Sequence, residues 1–237
     1  MKPLLELSAV QSSYGQAQVL FDMNLAIHPG QVVTLIGRNG VGKSTTVKGI
    51  TGLHPIAQGE IRLHGQPIQQ LPPERVADLG IALVPEGRRI FPNLTVRENL
   101  LAFARRPSAG RAGWTLEQIY EQFPSLALRQ ANLGNELSGG EQQMLAIGRA
   151  LLRNGELLVI DEATEGLAPL IRQEIWSCLA RLKQQGMAIL LIDKYLDPML
   201  RLGDMHYVID RGTVAWSGDS TALAAATEVW ERFVGVS

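Results

Sequence analysis

A single cysteine, Cys178, is all that the 237 residues supply, so no disulfide can close within the chain. That fits a reducing compartment. Cys178 sits in an amphipathic helix-like stretch and reads as a small buried apolar residue. Net charge is also scarce: 22 Lys and Arg face 23 Asp and Glu, leaving −1. With no basic excess, composition gives no argument for nucleic acid as a partner. Long hydrophobic runs are missing as well. "MAILLI" and "ELLVI" are strand-sized, far below the ~20 residues of a spanning helix. The opening "MKPLLELSAV" meets Glu6 too early for the apolar core of a signal peptide. The expectation is a cytoplasmic protein, unless it docks on something.

What is present is an ordinary globular composition, 46% hydrophobic, long enough for one large domain or two small ones. β-rich runs come first: "LLELSAV", "VLFDMNLAI" and "QVVTLIG". The "HPGQ" between the last two is a hairpin-like signal. "GEIRLHGQPI" reads as a second hairpin and "GIALVPE" as a short buried strand. From about Phe91 to Asn154 the periods turn helical, in "TVRENLLAFARR", "TLEQIYEQF" and "GEQQMLAIGRALLRN", with "RRPSAGRAG" as a loop. Strand–helix alternation then resumes through "ELLVID", "MAILLID" and "MHYVID". Such alternation implies an α/β fold with a parallel-type sheet, into which the helical block is inserted. No internal repeat is visible.

"GRNGVGKS", Gly37 to Ser44, matches G-x-x-x-x-G-K-[ST] in the required setting, after a buried strand and before a helix. Gly37, Gly40 and Gly42 let backbone N–H groups converge on phosphate oxygens without side-chain clash. Arg38, Asn39 and Val41 lie between them, and Thr45 follows in the helix. Lys43 brings a positive charge to the β- and γ-phosphates, and the Ser44 hydroxyl can ligate Mg²⁺. In "LLVIDE", Asp161 ends an apolar strand where it can hold the metal through water, and Glu162 is placed to orient or deprotonate an attacking water.

A second Gly-rich turn, "LSGGEQQ", opens another helix without a lysine of its own. P-loop, "LSGGEQQ" and "LLVIDE", in that order, resemble the ATPase subunits of ABC transporters over nearly the whole chain. The resemblance implies one ABC ATPase domain over residues 1–237. A RecA-like core with an N-terminal antiparallel β subdomain would occupy about 1–90 and 155–237, and a helical subdomain about 91–154. It also implies ATP and Mg²⁺ as cofactors and a head-to-tail dimer. Ser138, Gly139, Gly140 and Glu141 of one subunit would then close over the nucleotide of the other. Chemistry agrees, since a hydroxyl, backbone N–H groups and a helix N-terminus suit a phosphate. The same residues also spell a helix cap, with Ser138 as N-cap and Glu141 at N3. Tyr14 matches the aromatic that stacks on adenine in the family.

"VPEGRRIFPNLTVRENL" and "DEATEGLAP" resemble the smaller ATPase of branched-chain amino-acid-type importers. That resemblance implies a second ABC ATPase, as heterodimer partner or replaced by a homodimer in isolation. It also implies two transmembrane permeases, a periplasmic solute-binding protein and a peripheral place on the cytoplasmic face of the inner membrane. Phe91, Leu94, Arg88, Arg89 and Arg97 would line the groove that receives a permease helix. Uptake of urea, amides or aromatic acids, or a non-hydrolysing regulatory role, stand as alternatives. A ribosome- or DNA-acting ABC protein fits less well, lacking a tandem unit or long arms.

Several positions depart from the family. Glu86 stands where most members carry Gln, and a carboxylate there can still ligate Mg²⁺. Lys194 aligns with the His that contacts the γ-phosphate; it either supplies charge to that phosphate or points to solvent. Ala163 and Ala168 replace the usual Pro and Asp.

Overall fold

The computed structural model describes residues 2–107 and 113–234. The chain opens with β1 (Leu5–Tyr14) and β2 (Ala17–Ile27), an antiparallel pair, then β3 (Val32–Ile36). A Gly-rich loop leads from β3 into α1 (Lys43–Ile50). Next come β4 (Gln58–Leu63), β5 (Gln66–Pro67), α2 (Pro73–Asp78) and β6 (Ile81–Val84). A helical stretch holds α3 (Val96–Leu101), α4 (Leu116–Gln122), α5 (Pro124–Leu128) and α6 (Gly139–Leu151). Alternation follows: β7 (Leu157–Asp161), α7 (Pro169–Gln184), β8 (Ala188–Ile192), α8 (Leu196–Leu202) and β9 (Met205–Asp210). The chain then passes through β10 (Thr213–Gly218), α9 (Ser220–Ala225) and α10 (Thr227–Val229).

The strands among the described residues form one sheet in the order β5-β4-β1-β2-β10-β9-β3-β8-β7-β6. From β9 to β6 every neighbour is parallel, and β10 joins β9 antiparallel. β3, β7 and β8 are buried at all five positions, as strands covered on both faces must be. Their side chains alternate between two cores. Val32 and Ile36 join Leu158, Ile160, Ile189 and Leu191 on the face packed by the later helices. Val33 and Leu35 join Leu157, Val159, Leu190 and Ile192 on the face closed by α1 and the antiparallel strands. The period of two along each strand makes this division.

The "HPGQ" turn exists, with Gln31 N–H donating to the His28 carbonyl at 3.1 Å, but it makes no hairpin. β2 pairs with β1 and β10, while β3 pairs with β8 and β9. β3 is buried along its whole length and apolar but for Thr34, as suits a strand between two parallel neighbours, so the turn carries the chain from one part of the sheet to another. The "GEIRLHGQPI" hairpin forms as β4 and β5. Helices α2, α5 and α9 carried no signal that the sequence reading used, each being short. Residues 108–112, the centre of the "RRPSAGRAG" loop, lie outside the described residues. Cys178 is fully buried on α7 beside Ile175, Leu179 and Leu182, and burial pushes its thiol up to about 12. It is an inert packing residue.

One glycine joins the two parts of the sheet. Gly212, at φ +76 between β9 and β10, lies so close to β2 that a Cβ would sit 2.0 Å from the Val19 carbonyl oxygen. Its own carbonyl accepts from Phe21 N–H at 3.0 Å and its N–H donates to Val41 at 2.8 Å. The β2 edge and the phosphate loop are thereby tied to one turn.

Candidate nucleotide site

Parallel strands align their carboxyl ends, and the crevice outside those ends is where α/β sheets bind ligands. Here β3, β8 and β7 are successive neighbours. Three loops therefore leave one sheet edge side by side: 37–42, 162–168 and 193–195.

Gly37, Gly40 and Gly42 have φ of +154°, +80° and +114°, values that glycine adopts readily. A Cβ on Gly37 would lie 2.4 Å from the Ile209 carbonyl oxygen, so that position has no room for another residue. Arg38, Asn39 and Gly40 are exposed at the loop tip, Val41 is half-buried and Thr45 is buried within α1. Lys43 Nζ donates to the carbonyls of Gly37 (2.8 Å) and Arg38 (2.9 Å), curling the loop around its charge. Burial lowers its pKa, against the opposing pull of Glu162 and Asp161.

Ser44 Oγ donates to Asp161 Oδ1 at 3.4 Å. Asp161 is buried, and burial followed by the charge of Glu86 raises its pKa; Ser44, Lys43 and Lys48 act the other way. Glu86 itself is exposed on the loop after β6. A hydroxyl and a carboxylate at this distance are hard oxygen donors that fit Mg²⁺, which keeps water and phosphate oxygens as its remaining ligands. Among the described residues no group of three or more His, Cys, Asp or Glu side chains could hold a metal. The donor set is thus of the partial kind that substrate phosphates complete.

Glu162 follows at φ +54°, with its N–H donating to the Ile192 carbonyl at 2.9 Å. Its pKa rises to about 7, through burial first, then a hydrogen bond and charge from Glu165, then Glu86 and Asp161. A carboxyl held near neutrality is suited to proton transfer.

The Lys194 side chain is half exposed, and its Nζ lies 2.8 Å from Glu165 Oε1. Glu165 and Asp193 are residues that the sequence reading missed. Asp193 had a visible signal, since "AILLID" ends a buried strand in Asp just as "LLVID" does. Glu165 had none.

Tyr14 ends β1, 44% exposed. One face of its ring stacks on His54, with centroids 4.0 Å apart, and Lys48 Nζ reaches its hydroxyl at 3.5 Å. His54 braces the tyrosine, a role that nothing in its sequence context announces.

The "LSGGE" turn starts α6. Ser138 Oγ accepts from Glu141 N–H at 3.3 Å, and Glu141 Oε2 accepts from Ser138 N–H at 2.8 Å, a complete capping box. Glu141 also pairs with Arg129 at 2.7 Å. The turn's glycines fit close neighbours: a Cβ on Gly139 would lie 2.8 Å from the Arg88 guanidinium, and one on Gly140 2.8 Å from Ile171. Arg88 comes from the Glu86 loop, where Gly87, Arg88 and Arg89 take φ of +76°, +66° and +46° in succession. Nearby, Arg149 donates to the Arg89 carbonyl at 2.6 Å and lies over Phe91, which stacks on Phe103. Leu94 is half-buried and Arg97 exposed. Buried Asn99 shapes this loop through bonds to Phe91, Leu94 and Thr95, another unforeseen residue.

Fold and site together define a P-loop protein that binds a nucleoside triphosphate at a sheet edge. The model of the ABC transporter family matches residues 20–165, and the chain belongs to that family as an ATP-binding subunit. It is similar to BraG, a high-affinity branched-chain amino acid transport ATP-binding protein of Pseudomonas aeruginosa. The two are 37% identical over 232 residues, 98% of this chain and 100% of that one. Nod factor export ATP-binding protein I of Paraburkholderia xenovorans is 35% identical, across 94% of this chain and 73% of its own. A solved ATP-binding cassette of an ABC transporter superposes with a TM-score of 0.83 at 25% identity, covering 98% of both chains. No helix among the described residues is long and apolar enough to cross a membrane.

Proposed function

We propose that this chain hydrolyses MgATP to drive import of branched-chain or related amino acids. It would work with a second ABC ATPase, two permeases and a periplasmic binding protein, on the cytoplasmic face of the inner membrane. The observation that carries the ATPase reading is the meeting of Ser44 with Asp161, one residue before Glu162. The solute class is supported by the similarity to BraG, 37% identical across 98% of this chain.

In this reading the N–H groups of the glycine loop and Lys43 hold the phosphates, and Tyr14, braced by His54, stacks on adenine. Ser44 and Asp161 would hold Mg²⁺, with Glu86 nearby; when bound, the ion neutralises phosphate charge. Glu162 orients a water and takes its proton as the water attacks in line. Ser138, Gly139 and Gly140 of one subunit close over the nucleotide of the other, and Glu141 holds that turn in shape. The Phe91–Arg149 region receives a permease helix.

Steady-state ATP hydrolysis, by the chain alone and with its ATPase partner, tests this beside a Glu162→Gln control. Mg²⁺-dependent turnover lost in the control supports the reading. Turnover that persists in Glu162→Gln removes Glu162 from its role. ATP bound by the assembled complex without turnover makes the chain a regulatory subunit. Uptake in vesicles, with leucine against urea, amides and aromatic acids, sorts the solute.

A further inference from the structure

The loops leaving β7 and β8 are fastened to each other in layers. Strand pairing ends at Asp161 opposite Ile192, and Glu162 N–H extends it by one bond. Buried Asp193 forms the next layer. One carboxylate oxygen accepts from Thr164 N–H (3.1 Å) and Thr164 Oγ1 (2.7 Å), the other from Lys194 N–H (2.8 Å) and Tyr195 N–H (3.2 Å). The outermost layer is Lys194 Nζ on Glu165 Oε1 at 2.8 Å, and the Glu165 carboxyl is in turn hydrogen-bonded to that of Glu162.

We propose that Glu165, held by Lys194, is the positioning residue for Glu162, and that Lys194 acts through Glu165 rather than on the γ-phosphate. This rests on the ATPase reading above. A glutamate at a strand end has several rotamers, and a catalytic carboxylate must hold one. A hydrogen bond between two carboxyl groups needs a proton on one of them, and Lys194 keeps Glu165 the ionised partner. Both members of the outer pair are about half exposed, so the pair adds little to fold stability, and orientation is its consequence.

The test is a double-mutant cycle on Glu165→Ala and Lys194→Ala in the assembled ATPase. Each single variant lowers kcat by about tenfold or more, as misplacement of a catalytic group does. KM and ATP affinity stay unchanged, the double variant is no worse than either single one, and Lys194→Arg recovers the wild-type rate. ATP affinity weakened by Lys194→Ala but not by Glu165→Ala overturns the proposal in favour of a γ-phosphate contact. Strictly additive losses, or unchanged kcat, overturn it too. A wild-type assembly that binds ATP but shows no turnover instead sinks the ATPase reading. One readout is independent of turnover: the carboxyl ¹³C resonance of Glu162 moves in both variants. A fixed resonance overturns the proposal whatever the chain hydrolyses.

Discussion

Ser44 and Asp161 meet although 117 positions separate them, the hydroxyl of one donating to the carboxylate of the other. The sheet order explains the meeting. β3 and β7 flank β8, all three run parallel, and their carboxyl ends share one edge. The first residues of α1 therefore face the last residue of β7, although the two segments lie far apart along the chain.

Asp161→Asn keeps a hydrogen-bonding group beside Ser44 but removes the charge that a divalent ion needs. The Mg²⁺ concentration for half-maximal ATP hydrolysis should rise about tenfold or more, the loss typical of a weakened metal site. A Mg²⁺ titration at fixed ATP reads it. An unchanged midpoint would assign the metal to other residues.

The second expectation concerns pH. Glu162 has a pKa of about 7, raised from the ordinary carboxylate range. Below that pH it is a neutral acid, and above it a carboxylate able to take a proton. Activity that needs the carboxylate therefore falls as pH drops through about 7 and levels off above it. The kcat/KM profile reports this free-enzyme group, with a tenfold loss per unit on its acid limb. A flat profile between pH 5.5 and 8 would mean that the Glu162 carboxyl is not the proton acceptor.

The phosphate loop, the acidic strand end and the capping box were all legible in the sequence, because each is a local pattern whose spacing fixes its geometry. Ser138 and Glu141, three residues apart, could form a cap at a helix start wherever the helix packs. The partners of β3 were not legible, since a strand's neighbours are chosen by the whole sheet and the "HPGQ" turn suits either outcome. His54 behind Tyr14, and Glu165 between Glu162 and Lys194, escaped for the same reason. Each is an unremarkable residue made specific by a contact between segments 29 to 40 positions apart. For Lys194 the sequence offered a phosphate or solvent, and charge alone could not announce Glu165 as the anion it meets.

His206 sets a third expectation, on stability. It is fully buried, with Nδ1 2.7 Å from Thr34 Oγ1 and Nε2 2.8 Å from Ser220 Oγ. Ser220 donates its proton to the Leu200 carbonyl, so its oxygen receives the Nε2 proton and Thr34 donates to Nδ1. Burial lowers the pKa below 6.5, against Asp204 and Asp219, while Lys183 acts with it. The folded chain thus keeps the imidazole neutral where the unfolded chain takes up a proton. This contribution to stability is complete above pH 6.5 and falls away as the pH drops below it. Urea unfolding at pH 7.5 and 5.5 should show acid destabilisation that shrinks in His206→Gln, a variant less stable at pH 7.5. An equal pH slope in both proteins would exclude His206 as the source.

Ser138 separates two roles that its position combines. As N-cap of α6 it accepts the Glu141 N–H, and as part of "LSGGE" it is expected to meet a phosphate of the partner's nucleotide. Ser138→Ala removes both, costing about 1 kcal/mol of stability and weakening ATP-dependent dimerisation. Ser138→Asp divides them. Aspartate caps a helix as well as serine, and its charge favours the positive end of the helix, so thermal stability should hold within a few degrees. The same charge faces an incoming phosphate and repels it. In a Glu162→Gln background, expected to slow hydrolysis and keep ATP bound, sedimentation should therefore show an ATP-induced dimer with Ser138 and a monomer for Ser138→Asp. A dimer that forms equally well with the aspartate would leave the turn as a cap alone.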